Sequence, residues 1–188
     1  MARFIDPLYV NNLIDANILD DVADGQDEAV NEIVRLAGQS KITVLLPFSV
    51  RNEAKRKKTP EHVRRAADLF SYSKKVCLTE GEQEQYRNLL AAAKGDAEEK
   101  NIAADLAHVC EAAKYGGYFI TRDKRLLARA AIIATMLQID LVTPTEFLAR
   151  IKQAKERALA HFPQRIAIVG IAMKRRAHER DILGCAEI

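Results

Sequence analysis

Four acidic side chains, Asp15, Glu53, Asp105 and Asp123, stand where an alternating strand-and-helix chain would deliver them to one place. Four carboxylates within a few ångströms repel one another strongly. Such a cluster holds only if protons or a divalent cation neutralise it. Carboxylate oxygens and water are the ligands that Mg²⁺ and Mn²⁺ prefer. A cation held that way activates water and stabilises charge on a phosphodiester. The expected chemistry is metal-assisted phosphodiester hydrolysis, with the four acids as metal ligands and catalytic groups.

Each acid also has a plainer use. Asp123, before Lys124-Arg125-Leu126, suits a helix N-cap. Asp15 suits a turn that feeds Asn17, and Glu53 suits an ion pair with Lys57 one helical turn on. Asp105 lies between Ile102 and Val109 at the edge of an apolar stripe, where a charge is costly unless partnered, as by an arginine. Taken one at a time these uses suffice; the convergence of separate segments on one rim favours the shared site.

That convergence follows from the elements. Leu13-Ile14 ends a short apolar segment at Asp15, Asn17 reads as a cap, and Asp20, Asp21 and Asp24 read as an acidic loop. Helical spacing runs from Glu28 to Leu36. Ile42–Leu46 reads as a buried strand closed by Pro47, with a basic helix from Ser49. Pro60 suits a first helical position. Val76–Leu78 reads as a strand, and Thr79 with Glu82 as a capping box opening a helix to about Ala93. Glu98–Tyr115 is the clearest helix, with Ile102, Ala103, Leu106, Val109, Cys110 and Ala113 on one stripe and Gly116-Gly117 as its stop. Tyr118–Thr121 reads as a strand, Lys124–Leu137 as a helix, Asp140–Val142 as a strand, and Pro144 opens a last helix to about Ala158. From Asp105 the helix descends roughly 15 Å at 1.5 Å per residue. The next strand climbs back roughly 16 Å to Asp123 at 3.3 Å per residue. The two carboxylates therefore return to one level.

Strand and helix alternate throughout, which predicts an α/β fold, a Rossmann-like three-layer α/β/α sandwich around a mainly parallel sheet. Ligands gather beyond the carboxyl ends of such strands. The division expected is a nuclease-like domain over residues 1–160 and an appendage over 161–188. In the appendage, Ile166–Met173 is apolar and β-prone and precedes Lys174, Arg175, Arg176 and Arg180. It reads as an edge strand or a partner-binding tail.

The chain has 188 residues, 48% of them hydrophobic, enough for one domain with a substantial core. Its longest apolar run is far too short to cross a bilayer. The amino terminus carries no apolar signal core, and the three cysteines show no metal or disulfide spacing. A cytoplasmic protein with no membrane partner is expected. Net charge is only +3, but it is unevenly spread. Arg51, Lys55, Arg56, Lys57, Lys58, Arg64 and Arg65 form one basic run, and Arg122, Lys124, Arg125 and Arg129 another. Repeated runs of this kind point to a polyanionic partner. Arg51, Lys55, Lys58 and Arg122 are the residues expected to hold an RNA backbone.

Four pieces of the chain resemble the PIN-domain ribonucleases, toxin-type members most of all. They are Leu13-Ile14-Asp15-Ala16-Asn17-Ile18-Leu19, Ser49-Val50-Arg51-Asn52-Glu53, Ala104-Asp105-Leu106-Ala107 and Tyr118-Phe119-Ile120-Thr121-Arg122-Asp123. The resemblance covers about Leu13 to Leu148. It implies Mg²⁺ or Mn²⁺ at the four acids, RNA as substrate, and hydrolysis leaving a 5′-phosphate. It implies auxiliary roles for Asn17 and Thr121, beside the first and last acids. It also implies an antitoxin partner and pairing as homodimers. The flanks of Glu53 are more basic than the family's pattern, and the tail after Phe162 has no counterpart in short toxin-type members.

A phosphate-accepting receiver domain would need an Asp after the third strand, and none follows Val76-Cys77-Leu78. A haloacid-dehalogenase-like phosphatase would need Asp-x-Asp where the chain has Asp15-Ala16-Asn17. Flap-type DNA nucleases carry more acids. The main rival is a catalytically inactive PIN scaffold that binds RNA or a protein partner.

Overall fold

The computed structural model describes residues 4–75, 77–93 and 99–160. Two compact units divide the chain, Met1–Ile151 and Lys152–Ile188. The first contains a five-stranded sheet in the order β3-β2-β1-β4-β5, every neighbouring pair parallel. The strands are β1 (Asn11–Ile14), β2 (Thr43–Leu46), β3 (Ser71–Tyr72), β4 (Tyr118–Ile120) and β5 (Asp140–Val142). Between β1 and β2 run α1 (Ala16–Asp24) and α2 (Glu28–Gly38); between β2 and β3, α3 (Phe48–Ala54) and α4 (Glu61–Ala67). The return from β3 to β4 carries α5 (Glu80–Ala93) and α6 (Glu99–Ala113), and β4 to β5 carries α7 (Lys124–Leu127) and α8 (Ala130–Leu137). Residues 144–151 are helical, as are 152–160 in the second unit.

Side chains alternate across a strand, and here the alternation sorts the core into two layers. Ile14, Leu46, Tyr118, Ile120 and Val142 turn to one face, against α1, α2, α3, α4 and the helical residues Phe147 and Ile151. Leu13, Phe119 and Leu141 turn to the other, against α5, α6, α7 and α8. The chain is therefore an α/β three-layer sandwich of Rossmann-like architecture. The layering follows from connection handedness. Growth from β1 to β3 runs one way along the sheet and β4 to β5 the other, so right-handed crossovers place the two sets of helices on opposite faces. The reversal lies between β1 and β4, a switch point whose crevice opens at the strands' carboxyl ends.

Several local expectations need correction. Asp20, Asp21 and Asp24 lie on α1 rather than in a loop; Ile18 and Leu19 bury that helix, and Gly25, at φ +65°, ends it in a left-handed turn. The cap of α1 is Asp15, not Asn17. The third strand is Ser71–Tyr72; Cys77 and Leu78 are coil, and Val76 lies outside the described residues. The segment 124–137 is two helices, with a break at Ala128-Arg129 where the Arg129 guanidinium bonds the carbonyls of Ala93 and Arg125. Pro60 occupies the cap of α4, one residue earlier than expected. The capping box is present: Thr79 and Glu82 bond reciprocally, with the Thr79 amide to Glu82 Oε2 at 2.7 Å. Gly116 is required by close approach, since a Cβ there would stand 2.3 Å from the Asn11 carbonyl oxygen. The expected tail, 161–188, lies outside the described residues. Among the described residues, no helix is long and apolar enough to cross a membrane.

Candidate functional site

Register places the first and last acids. Ile14 pairs with Ile120, and the Asp15 amide bonds the Ile120 carbonyl at 3.0 Å, so Asp15 and Thr121 leave β1 and β4 side by side. Thr121 is fully buried, and its hydroxyl donates to Asp15 Oδ2 at 2.7 Å. Asn17 donates to the same oxygen at 3.0 Å and to Thr121 Oγ1 at 3.1 Å, while its own carbonyl accepts from the Arg122 amide at 3.2 Å. The Asp123 amide donates to Thr121 Oγ1 at 3.0 Å. Asn17 and Thr121, for which the resemblance implies auxiliary roles, tie those two loops together.

Asp123 caps α7 through the amides of Arg125 and Leu126, and Asp15 caps α1 through the amide of Ala16. The cap expected of Asp123 is thus realised, and Asp15, expected as a turn acid, is a cap as well. Asp105 arrives from α6, and the Arg125 guanidinium reaches it at 3.5 Å and Asp123 at 3.0 Å. The descent of the helix and the climb of the strand therefore bring these two carboxylates to one level.

The electrostatics record three acids facing one another. Burial pushes the Asp15 carboxyl up, opposed by the bonds from Thr121 and Ala16 and by His108, and reinforced by the charge of Asp123. Burial also raises Asp105, with Asp123 and Asp15 adding to it and Arg125 and His108 opposing. Burial would raise Asp123 as well, but the side-chain and amide bonds from Arg125 and the Leu126 amide outweigh it and hold that carboxyl low. Two carboxylates pushed up beside one held down is a division common where acids share work.

Glu53 joins by a different route. Its carboxylate meets His108 Nε2 at 3.2 Å, and His108 in turn acts on Asp15 and Asp105. The expected pair with Lys57 is not among the described ion pairs. Among the described residues, no three His, Cys, Asp or Glu side chains already stand in a metal-holding arrangement. The donor chemistry nonetheless suits a hard divalent cation: the groups are carboxylates, and Asp15, Asp105 and Asp123 carry mutual repulsion that a cation would relieve.

His108 and Arg125 are the members that sequence reasoning did not single out. Spacing held a signal for both. His108 lies three residues beyond Asp105, on the same helix face, and Arg125 two beyond Asp123. The residues expected to hold RNA are partly engaged. Arg51 lies over the Tyr72 ring, 3.6 Å from its centroid, and Lys55 pairs with Asp68 at 2.9 Å. Arg122 pairs with Asp21 and Asp27 on the α1–α2 side, while Lys58 is exposed.

A cleft of about 630 Å³ opens elsewhere, at the amino ends of β1, β4 and β5, lined by Asn11, Glu82, Cys110, Lys114, Gly117 and Gln138 among others. Its one acid among the described residues, Glu82, is already paired with Lys114 at 2.7 Å, whereas Asp15 and Asp105 at the carboxyl ends are pushed up by burial and by neighbouring acids. Comparison with family models, with curated proteins and with solved structures finds no match for this chain.

Proposed function

We propose that the chain is a metal-dependent endoribonuclease of the PIN type. The observation that carries the reading is the meeting of Asp15, Asp105 and Asp123, from three separate elements, at the β1–β4 switch point, with Asp15 and Asp105 pushed up by burial and neighbouring acids despite Arg125 and His108. Asp15, Asp105 and Asp123 would hold Mg²⁺ or Mn²⁺, with Glu53 as the fourth acid. The cation, when bound, supplies a water nucleophile and stabilises charge on the phosphodiester. Thr121 and Asn17 fix the Asp15 carboxylate at the strand end through Oδ2. The exposed basic face of α3 and the turn after it would bind the RNA backbone.

The test is cleavage of a single-stranded RNA with Mg²⁺ or Mn²⁺, with a chelator, and by the Asp105→Asn chain. Metal-dependent cleavage lost in the variant supports the reading; cleavage in chelator counts against it.

A second reading has its own observation. Arg125 bridges Asp105 and Asp123, as in an internally neutralised, non-catalytic scaffold that binds RNA or a protein. It predicts RNA binding with no cleavage under any metal.

A further inference from the structure

A chain of hydrogen bonds runs behind the acid rim, from α6 to α3. Glu111 accepts from the Phe48 amide at 2.8 Å, the Ser49 amide at 3.0 Å, the Ser73 hydroxyl at 3.2 Å and the Ser49 hydroxyl at 2.5 Å. Four donors converge on this one carboxylate, which serves as their common acceptor. The Ser49 proton is therefore committed to Glu111. Ser49 Oγ is left to accept, and its neighbour at 2.7 Å is His108 Nδ1. That nitrogen donates to Ser49 Oγ, which fixes the ring's plane. The other ring nitrogen, Nε2, is then aimed at Glu53 Oε2 at 3.2 Å. The His108 side chain is only 13% exposed, whereas that of Glu53 is 46% exposed.

We propose that His108 is a positioning residue for Glu53, a role that rests on the ribonuclease reading above. Glu53 sits near the end of a seven-residue helix, and a long, half-exposed carboxylate there has rotamer freedom that costs free energy to remove. Its described partner is His108, and His108 is held from behind by Ser49 and Glu111. The ring also lies within electrostatic reach of Asp15 and Asp105, so it links the fourth acid to two of the other three. The arrangement matches the general pattern in which outer partners orient the groups that hold a metal.

The experiment uses the full chain, Mn²⁺ as the metal probe and a single-stranded RNA oligonucleotide. His108→Ala should weaken Mn²⁺ binding and lower kcat by about ten- to a hundredfold, with KM for RNA nearly unchanged. Ser49→Ala, which touches no acid of the rim, should act in the same direction and less. His108→Gln, which keeps an amide donor, should recover part of the loss. A separate readout needs neither metal nor substrate: the ring ¹⁵N resonances of His108 should shift at Nε2 in Glu53→Gln and at Nδ1 in Ser49→Ala. That readout decides if His108→Ala does not fold. The positioning role is overturned if His108→Ala keeps wild-type Mn²⁺ affinity and kcat while Glu53→Gln loses them, or if the ring is blind to Glu53→Gln. A wild-type chain whose ring does respond, but which neither binds Mn²⁺ nor cleaves, overturns the ribonuclease reading and leaves the hydrogen-bond chain as structure only.

Discussion

The two ends of the same sheet handle polar groups in opposite ways. At the amino ends the charges are paired and the asparagine side chains donate to backbone carbonyls, although Asn12 Oδ1 is left buried without a partner. Lys114 and Thr79 bond Glu82 and hold its carboxyl down to about 2. The Asn11 side chain donates to the Tyr115 carbonyl, and that of Asn12 to the carbonyls of Pro7 and Thr43. At the carboxyl ends, Asp15 and Asp105 are pushed up by burial and by neighbouring acids. One end uses its polar groups to hold strands and helices together. The other carries repulsion that Arg125 and His108 offset only in part, the kind of strain that functional sites tend to hold.

The sharpest way to break this contrast is to remove acids from each end. Asp15→Asn, Asp105→Asn and Asp123→Asn should each lower RNA cleavage by about a hundred- to a thousandfold, since metal stabilisation of developing charge is worth several kcal/mol and each ~1.36 kcal/mol is tenfold in rate. Glu82→Gln should leave the rate unchanged. Equal losses from Glu82→Gln would erase the distinction between the ends.

Stability should separate the ends next. Gly116→Ala, at the amino end, forces a Cβ onto the Asn11 carbonyl and Leu13. It should cost about 1–3 kcal/mol in denaturant unfolding. Asp105→Asn, at the carboxyl end, should instead raise the melting temperature of the metal-free chain at neutral pH.

The pH dependence gives that last effect its sign. Asp105 has a raised carboxyl, so its ionisation costs the fold stability as pH rises through that value, and nothing when pH lies below the unfolded value. The gain from Asp105→Asn should therefore fade in acid. Glu82 behaves oppositely: its contribution is present above its ordinary 4.5 and is lost as pH falls toward about 2. Thermal melts across this range check both. A gain for Asp105→Asn that persists in acid would point to packing rather than charge.

The smallest effect belongs to the basic face. Replacing Arg51, Lys55 and Lys58 together by Ala should weaken RNA binding and reduce its salt slope by about 0.7 for each phosphate left without its cation. Turnover at saturating RNA should change little. Because Arg51 stacks on Tyr72 and Lys55 pairs with Asp68, fewer than three phosphates are expected to be affected. Binding at low salt that is unaffected would make this face mere solvated surface.

Much of this was readable from residue order because it rests on period and reach. Leu13 and Ile14 face opposite core layers as strand alternation requires, and Asp105 and Asp123 meet because helix rise and strand rise cancel. What escaped rests on interactions that leave no periodic trace. β3 is an exposed edge pair, Ser71–Tyr72, held by backbone pairing to Leu45 and Leu46, so no apolar pattern announces it. The apolar Cys77-Leu78 invited a strand, yet Leu78 lines a cleft instead. The α7–α8 break carries no glycine or proline; a long-range bond from Arg129 to the Ala93 carbonyl accompanies it. His108 was hidden because its partners, Ser49 and Glu53, lie more than fifty residues away on another helix.

The most direct measurement is calorimetric titration of Mn²⁺ into the full chain at neutral pH, paired with RNA cleavage in the same buffer, for wild type and Asp105→Asn. Wild type should bind the ion and cleave, and the variant should lose both while remaining folded. Cleavage that survives chelation, or a variant that binds and cleaves as wild type does, would contradict a metal site at the β1–β4 crevice.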